Sequence, residues 1–67
     1  MFKKIEQANG RILLININNI TRVDLQLGSN SWKIYFVNGP VFDTDSFESV
    51  QAAIQWYSDT IGKVENL

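Results

Sequence analysis

Three carboxylates close together in the segment DTDSFE could support chemistry: Asp43, Asp45 and Glu48. Paired carboxylates can serve as general acid and base or hold a metal ion. Their spacing also fits a capping box, in which Asp45 and Glu48 stabilise the first turn of a helix and Asp43 stays in solvent. A calcium loop is not matched, because its sixth and twelfth positions hold Glu48 and Ile54. We therefore predict helix capping here, with no catalytic residue and no metal site.

The chain contains no Cys and no His. This excludes Ser-His-Asp and Cys-His catalysis and the usual zinc hydrolase sites, as well as disulfides and most structural metal sites. The four glycines are scattered at turns and form no phosphate-binding loop. We predict a protein that is not an enzyme and needs no cofactor.

The chain has 67 residues, which is enough for one small domain with a marginal core. Its composition is 45% hydrophobic and 19% charged, so it should fold and should carry apolar surface. Without disulfides or a metal, a partner subunit is the remaining source of stability. We predict a single domain over residues 1–62, a C-terminal tail over 63–67, and a homo-oligomer.

The targeting signals of export and membrane insertion are not found in the sequence. No amino-terminal segment has the pattern of a signal peptide, and no apolar run approaches the ~18 residues of a membrane span. We expect a cytoplasmic protein with no membrane partner. Because the net charge is -1, affinity for nucleic acid would have to come from a local basic patch.

Short strand-like runs alternate with turn sequences along the first two thirds of the chain. Residues 11–17 are apolar on both faces, which is typical of a central strand covered on each side. Residues 20–27 and 32–37 alternate between apolar and polar positions, which indicates one buried face. A first strand over residues 2–8 is expected to pair with 11–17 across Asn9-Gly10.

Pairing of the alternating runs predicts an unusual outer face. A loop over residues 28–31 opposes Leu27 with Trp32, Leu25 with Ile34, and Val23 with Phe36 on the inner face. A two-residue turn at Asn38-Gly39 then places Tyr35 opposite Phe42 on the outer face. Arg22 and Lys33 flank these two rings, and this set could contact single-stranded nucleic acid or a protein partner.

The last element reads as a helix that is capped by Asp45 and ends at Gly62. Its apolar stripe is expected to pack on the sheet and consists of Phe47, Val50, Ile54, Tyr57 and Ile61. Trp56 is expected on the opposite side of the helix, in solvent. Small or short side chains surround it there and would let a partner approach closely: Ser49, Ala52, Ala53 and Thr60. We predict an oligomer or partner interface at Trp56, because Trp is enriched at the centres of interfaces.

The run NGRILLININNIT, followed by WKIYFVNGPVF and an acid-capped helix, resembles the small flagellar FlbD-like proteins. In that family a Gly turn, an apolar strand ending in Asn, a following Ile and a second Gly turn precede a carboxyl-terminal helix. The matching positions, within about residues 8 to 58, are Gly10, Asn16, Ile20 and Gly39. The Glu-Ser pair that follows the last strand in that family is displaced here to Glu48-Ser49.

The short, bent strands are also similar to those of Sm-like small barrels. Asn9-Gly10 and Val37-Asn38-Gly39 stand where that family has its turn and its apolar-x-Gly signature. Sm-like proteins form rings and bind RNA, but their helix is usually amino-terminal, and the Asp and Arg of their motifs do not line up with this chain. Either resemblance implies an oligomer that is not an enzyme.

Together these patterns predict an α+β fold. Four or five antiparallel strands form a meander that is strongly twisted or partly closed into a barrel, and one C-terminal helix packs on it. The function predicted first is a small self-associating binding module, a ring or a dimer. The alternative is a single-stranded RNA- or DNA-binding Sm-like protein. An enzyme that acts through Asp43, Asp45 and a metal ion is the reading that the residues favour least.

Overall fold

A computed structural model describes residues 2 to 62, in which five antiparallel strands form two sheets and a helix follows them. The elements are β1 (Phe2–Glu6), β2 (Ile12–Asn16), a 3-10 turn (Ile17–Asn19), β3 (Ile20–Gln26), β4 (Ser31–Phe36), β5 (Val41–Asp43) and α1 (Val50–Thr60). The predicted α+β class, strand number and C-terminal helix are confirmed. The strands do not close into a barrel, because β1-β2 and β3-β4-β5 are separate sheets. The predicted tail, 63–67, lies outside the described residues.

The first sheet is the predicted hairpin across Asn9-Gly10, where Gly10 adopts a φ of +84° that favours glycine. Its pairing places Ile5 opposite Leu13 on one face, and Ile5 and Ile15 are buried there. The other face of β2 is exposed. The prediction of a central strand covered on both sides is therefore wrong, since β2 is an edge strand with one covered face.

Strands β3 and β4 pair two residues away from the predicted register. Leu25 lies opposite Trp32 and Val23 lies opposite Ile34, so the inner face is the predicted one but each partner differs. The reason is a turn that begins one residue earlier, with Gln26 already opposite Ser31. A shift of two residues preserves both faces, because side chains alternate with a period of two.

The β4-β5 turn is one residue longer than predicted, and this moves Phe42 to the other face. Residues 37 to 39 form the turn, since the Phe36 N–H donates to the Pro40 carbonyl over 3.1 Å, and φ is positive at Asn38 (85°) and Gly39 (101°). Tyr35 therefore lies opposite Val41, and Ile34 lies opposite Phe42. The register of β5 against β4 is thus shifted by one residue, which exchanges the two faces of β5. The Tyr35/Phe42 pair predicted on the outer face therefore does not form.

Helix α1 begins at Val50, five residues after the predicted cap. The Ser49 hydroxyl caps it by accepting from the Ala52 N–H over 3.1 Å. An earlier start is prevented because the Phe47 N–H donates to the Asn30 carbonyl over 2.8 Å and keeps this segment beside β4. Asp45 instead accepts from the Ala8 N–H over 2.8 Å and ties the first hairpin to this segment. At the other end Ile61, not Gly62, is the C-cap.

The core lies between α1 and the inner face of the three-stranded sheet. Trp32, Ile34 and Ala53 are buried, and Ala53 lies at the centre of the helix face that packs on the sheet. The Trp32 indole N–H donates to the Ala53 carbonyl over 2.8 Å, and the Trp32 and Tyr57 ring centroids are 4.7 Å apart. A small residue at position 53 lets the helix approach the indole this closely.

The Ser49 cap gives a first testable prediction. Ser49→Ala should lower the free energy of unfolding by about 1 kcal/mol, because the Ala52 N–H loses its acceptor. Ser46→Ala is the matched control, since Ser46 is exposed and precedes the helix. Urea unfolding followed by circular dichroism measures both, and equal effects of the two substitutions would contradict the assigned cap.

Candidate functional site

The three carboxylates of DTDSFE lie in separate environments. Asp43 is exposed and lies opposite Lys33 on the outer face of the sheet, Asp45 holds the Ala8 N–H, and Glu48 is exposed before the helix. Among residues 2 to 62, no group of three or more Asp, Glu, His or Cys side chains is placed to hold a metal ion. The predicted capping by Asp45 and Glu48 is wrong, because Ser49 takes that role.

The predicted interface around Trp56 does not have the predicted geometry. Trp56 is half-buried, packs against the core and contacts the Phe47 ring, with centroids 5.4 Å apart. Ala53 is fully buried, and Ser49 is occupied as the helix cap. Ala52 and Thr60 keep partial exposure. The expectation that Trp56 faces solvent is therefore wrong; a role of this helix in association stays a prediction.

Tyr57 takes the predicted place on the sheet side of the helix. Its ring packs on Trp32, and its partial burial raises the pKa of the Tyr57 hydroxyl above the ordinary value. Both adjacent rings of the Trp56-Tyr57 pair thus have aromatic partners within the fold. The helix face is centred on Ala53, at 100° per residue, so positions 56 and 57 flank the centre.

The outer face of the three-stranded sheet carries a cation stacked on an aromatic ring. The Arg22 guanidinium carbon lies 4.1 Å from the centroid of Tyr35, and Arg22 Nε is 3.3 Å from Asp24 Oδ1. The interaction with the Tyr35 side chain, and then the charge of Asp24, raise the pKa of Arg22, so it stays cationic. In solvent this stacking is a weak contact that orients the Arg22 side chain over the ring.

Charges on this outer face are balanced. Lys33 lies between Asp24 on β3 and Asp43 on β5 in the strand register. Phe42, predicted on this face, lies on the inner face and packs against the core. Of the predicted pair of rings, Tyr35 alone lies on this face, and the cations Arg22 and Lys33 both have carboxylates beside them. Binding of single-stranded nucleic acid stays a prediction.

The outer face of the first hairpin carries three of the six large hydrophobic side chains that are exposed in the described chain. We call Phe2, Ile12 and Leu14 the hairpin patch; they are 66%, 59% and 68% exposed. They point to one side, because all lie at even positions of the paired register. Lys4 and Glu6 share this face and form an ion pair of 3.3 Å. Sequence reasoning did not identify this patch, although the apolar character of 11–17 on both faces was its signal.

An open groove separates the two sheets. One part, of about 410 Å³, is lined by residues of β2 and β5 together with Gln7, Arg11 and Phe36. The other part, of about 290 Å³, continues it past Val37 and Pro40. We call the two parts together the inter-sheet groove, since Leu14, Ile15 and Phe36 line both. The sequence did not predict it, because it depends on how the two sheets are placed.

No helix within residues 2 to 62 has the length and apolar character needed to cross a membrane. Comparison of the chain with protein family models, with curated proteins and with solved structures found no match.

Proposed function

We propose that this protein is a non-enzymatic binding module that associates with further copies of itself through the hairpin patch. The observation that supports the proposal is the exposure of three large apolar side chains on one face of a two-stranded sheet. Covering such surface is favourable by roughly 25 cal/mol for each Å² removed from water. In the described chain half of the positions on this face are apolar and stay exposed, which is typical of an interaction surface.

The charges on the hairpin face favour a second copy as the partner. Lys4 and Glu6 lie beside the apolar side chains and have opposite signs. In a two-fold dimer the same surface meets itself, so residue i contacts residue j and the reverse. Lys4 of one copy can then meet Glu6 of the other, and a face with both signs complements itself.

The size of the patch sets the expected strength of association. A hairpin of two five-residue strands covers about 17 Å by about 10 Å, which is less than the ~800 Å² per partner of a stable interface. Contacts from the neighbouring surface are needed to reach that area. We therefore expect an association that depends on protein concentration, and not an obligate dimer.

Ile12→Lys tests the proposal. Ile12 lies opposite Glu6 across the strands, so the new ammonium group finds a carboxylate in the monomer and the fold should tolerate it. Two copies of the patch would then bring added positive charge together, and association should fall at least about tenfold, or ~1.4 kcal/mol. Sedimentation equilibrium of wild type and variant at low and high concentration measures the change.

Leu27→Lys is the matched control. Leu27 is 68% exposed, close to the value for the patch residues, but it lies in the β3-β4 turn. This variant should associate as the wild type does. A wild-type mass of 7.7 kDa at every concentration, or equal weakening by both substitutions, would overturn the proposal.

A further inference from the structure

We propose that the inter-sheet groove binds an extended, uncharged and apolar segment of a partner polypeptide as an additional β-strand. This site overlaps the self-association surface at Leu14 alone, because Phe2 and Ile12 of the hairpin patch do not line either part of the groove. Leu14 belongs to both surfaces, and the variants below avoid it for that reason.

Both walls of the groove are edges of strands. The wall from β2 consists of Leu13, Leu14 and Ile15, which are consecutive residues. The wall from β5, residues 41 to 43, is likewise consecutive. Successive side chains of a strand point to opposite faces of its sheet, so a groove lined by three residues in a row runs along the backbone edge. The ligand therefore meets main chain as well as side chains.

Neither edge is paired with another strand of the described chain. Strand β2 pairs with β1 on its other side, and β5 pairs with β4. An edge strand presents N–H and C=O groups at every second residue, and an extended peptide can hydrogen-bond to this row. Such strand addition takes its affinity from the main chain and its selectivity from pockets for alternate side chains.

The ends of the groove fix its direction. Arg11 and Asp43 line one end, while Asn16 and Pro40 line the other. Strand β2 thus runs away from the Arg11 end, and β5 runs towards it. A segment between them is antiparallel to one wall and parallel to the other, and its length is set by the five residues of β2.

The charge of the lining argues for an uncharged occupant. Of the described residues that line the groove, Arg11 and Asp43 alone are charged; they have opposite signs and lie at the same end. Between the ends the lining is aliphatic and aromatic, and burying an unpaired charge there is costly. At the other end the lining becomes polar, with Asn19 and Asn38. The complementary segment is apolar over about five residues and polar after that.

The test uses a synthetic blocked hexapeptide, acetyl-VVIVVN-amide, titrated into the Ile12→Lys protein, so that self-association does not interfere. We expect amide resonances of residues 13 to 15 and 41 to 43 to shift on binding. A second peptide of the same sequence carries N-methyl groups at alternate residues, which removes the donors towards one wall and leaves every side chain unchanged. It should bind at least about tenfold more weakly.

Val41→Lys, on the β5 wall, is added to the Ile12→Lys protein and should weaken binding of the unmodified peptide by about the same factor. Leu27→Lys, added to the same Ile12→Lys protein, should leave the affinity for the peptide unchanged. Val41→Thr replaces it if circular dichroism shows that the lysine variant is unfolded. No binding up to the solubility of the peptide, equal binding of the N-methylated peptide, or shifts confined to the outer edges of β1 or β3 would each overturn this proposal. The proposed self-association is tested separately, by sedimentation of the protein without peptide.

Discussion

Replacing Trp32 by Ala should lower the free energy of unfolding by about 3–5 kcal/mol. Trp32 is 2% exposed, lies opposite Leu25, and stacks on Tyr57 with 4.7 Å between centroids. Its removal leaves a cavity between sheet and helix that the alanines of the helix cannot fill. At 0.05–0.15 kcal/mol per residue, a domain of this size has roughly 3–10 kcal/mol of stability, so the variant should be largely unfolded at ordinary temperatures.

Trp32→Phe separates the hydrogen bond from the packing. The phenyl ring keeps a contact with Tyr57 but cannot donate to the Ala53 carbonyl, so a loss of about 1–2 kcal/mol is expected from the bond together with the smaller ring. Urea unfolding followed by far-ultraviolet circular dichroism measures both variants without relying on the mutated fluorophore. Leu27→Ala, at an exposed position, should change stability by less than about 0.5 kcal/mol.

A loss below about 1.5 kcal/mol in Trp32→Ala would contradict the central place of this residue, because it falls short of the cost of opening a cavity in a packed core. A wild-type-like melting curve with a changed near-ultraviolet spectrum would show that the indole lies at the edge of the core. Neither result is compatible with a buried indole that bridges β4 and α1.

The positions and faces of β3 and β4 could be predicted from sequence, while their register could not. Alternation of apolar residues fixes which face is buried, and both possible turns give the same faces. Choosing between them depends on the turn conformation, with Asn30 at a φ of +50°, which no composition signal reveals. At Asn38-Gly39 the turn is one residue longer than predicted. This one-residue shift of register moves Phe42 from the predicted outer face to the inner face.

The apolar run 11–17 correctly predicts a strand, but β2 is an edge strand and not the predicted central one. A run that is apolar on both faces predicts a strand covered on both sides, and in the described chain one face of β2 is exposed. A sequence pattern reflects all burial, including burial against a partner, whereas a single copy shows the contacts within itself. This difference is a physical reason to look for the missing layer at Ile12 and Leu14.

The predicted helix stripe is correct in part: Phe47, Ile54 and Tyr57 pack against the core, but the face is centred on Ala53, which the stripe leaves out. Val50, Ile54 and Ile61 are more apolar than Ala53, yet Ala53 is the one fully buried residue of the helix, since the Trp32 indole occupies the volume that a larger residue would need. A close approach by a small residue, with a hydrogen bond to its carbonyl, outweighs a wider apolar stripe. Trp56 lies at the edge of this contact between helix and sheet, where its ring packs against the Phe47 ring.

Ala53→Leu tests this orientation and should lower the free energy of unfolding by about 1–3 kcal/mol, occasionally more. Ala53 is fully buried against Trp32, so three added carbons must push the helix away from the sheet and lengthen the 2.8 Å bond between the indole N–H and the Ala53 carbonyl. Thermal and urea unfolding give the change in stability, and the near-ultraviolet circular dichroism of the two indoles reports the changed packing.

Ala52→Leu is the matched control, because the same substitution one position earlier has the same small effect on helix propensity. Ala52 keeps partial exposure, so its loss should be below about 1 kcal/mol. If the helix instead presented Ala53 to solvent around an exposed Trp56, Ala53→Leu would be neutral in the monomer and would change the mass of the assembly. Comparing unfolding and sedimentation of the two variants therefore decides between a helix that completes the core through Ala53 and one that offers this side to a partner.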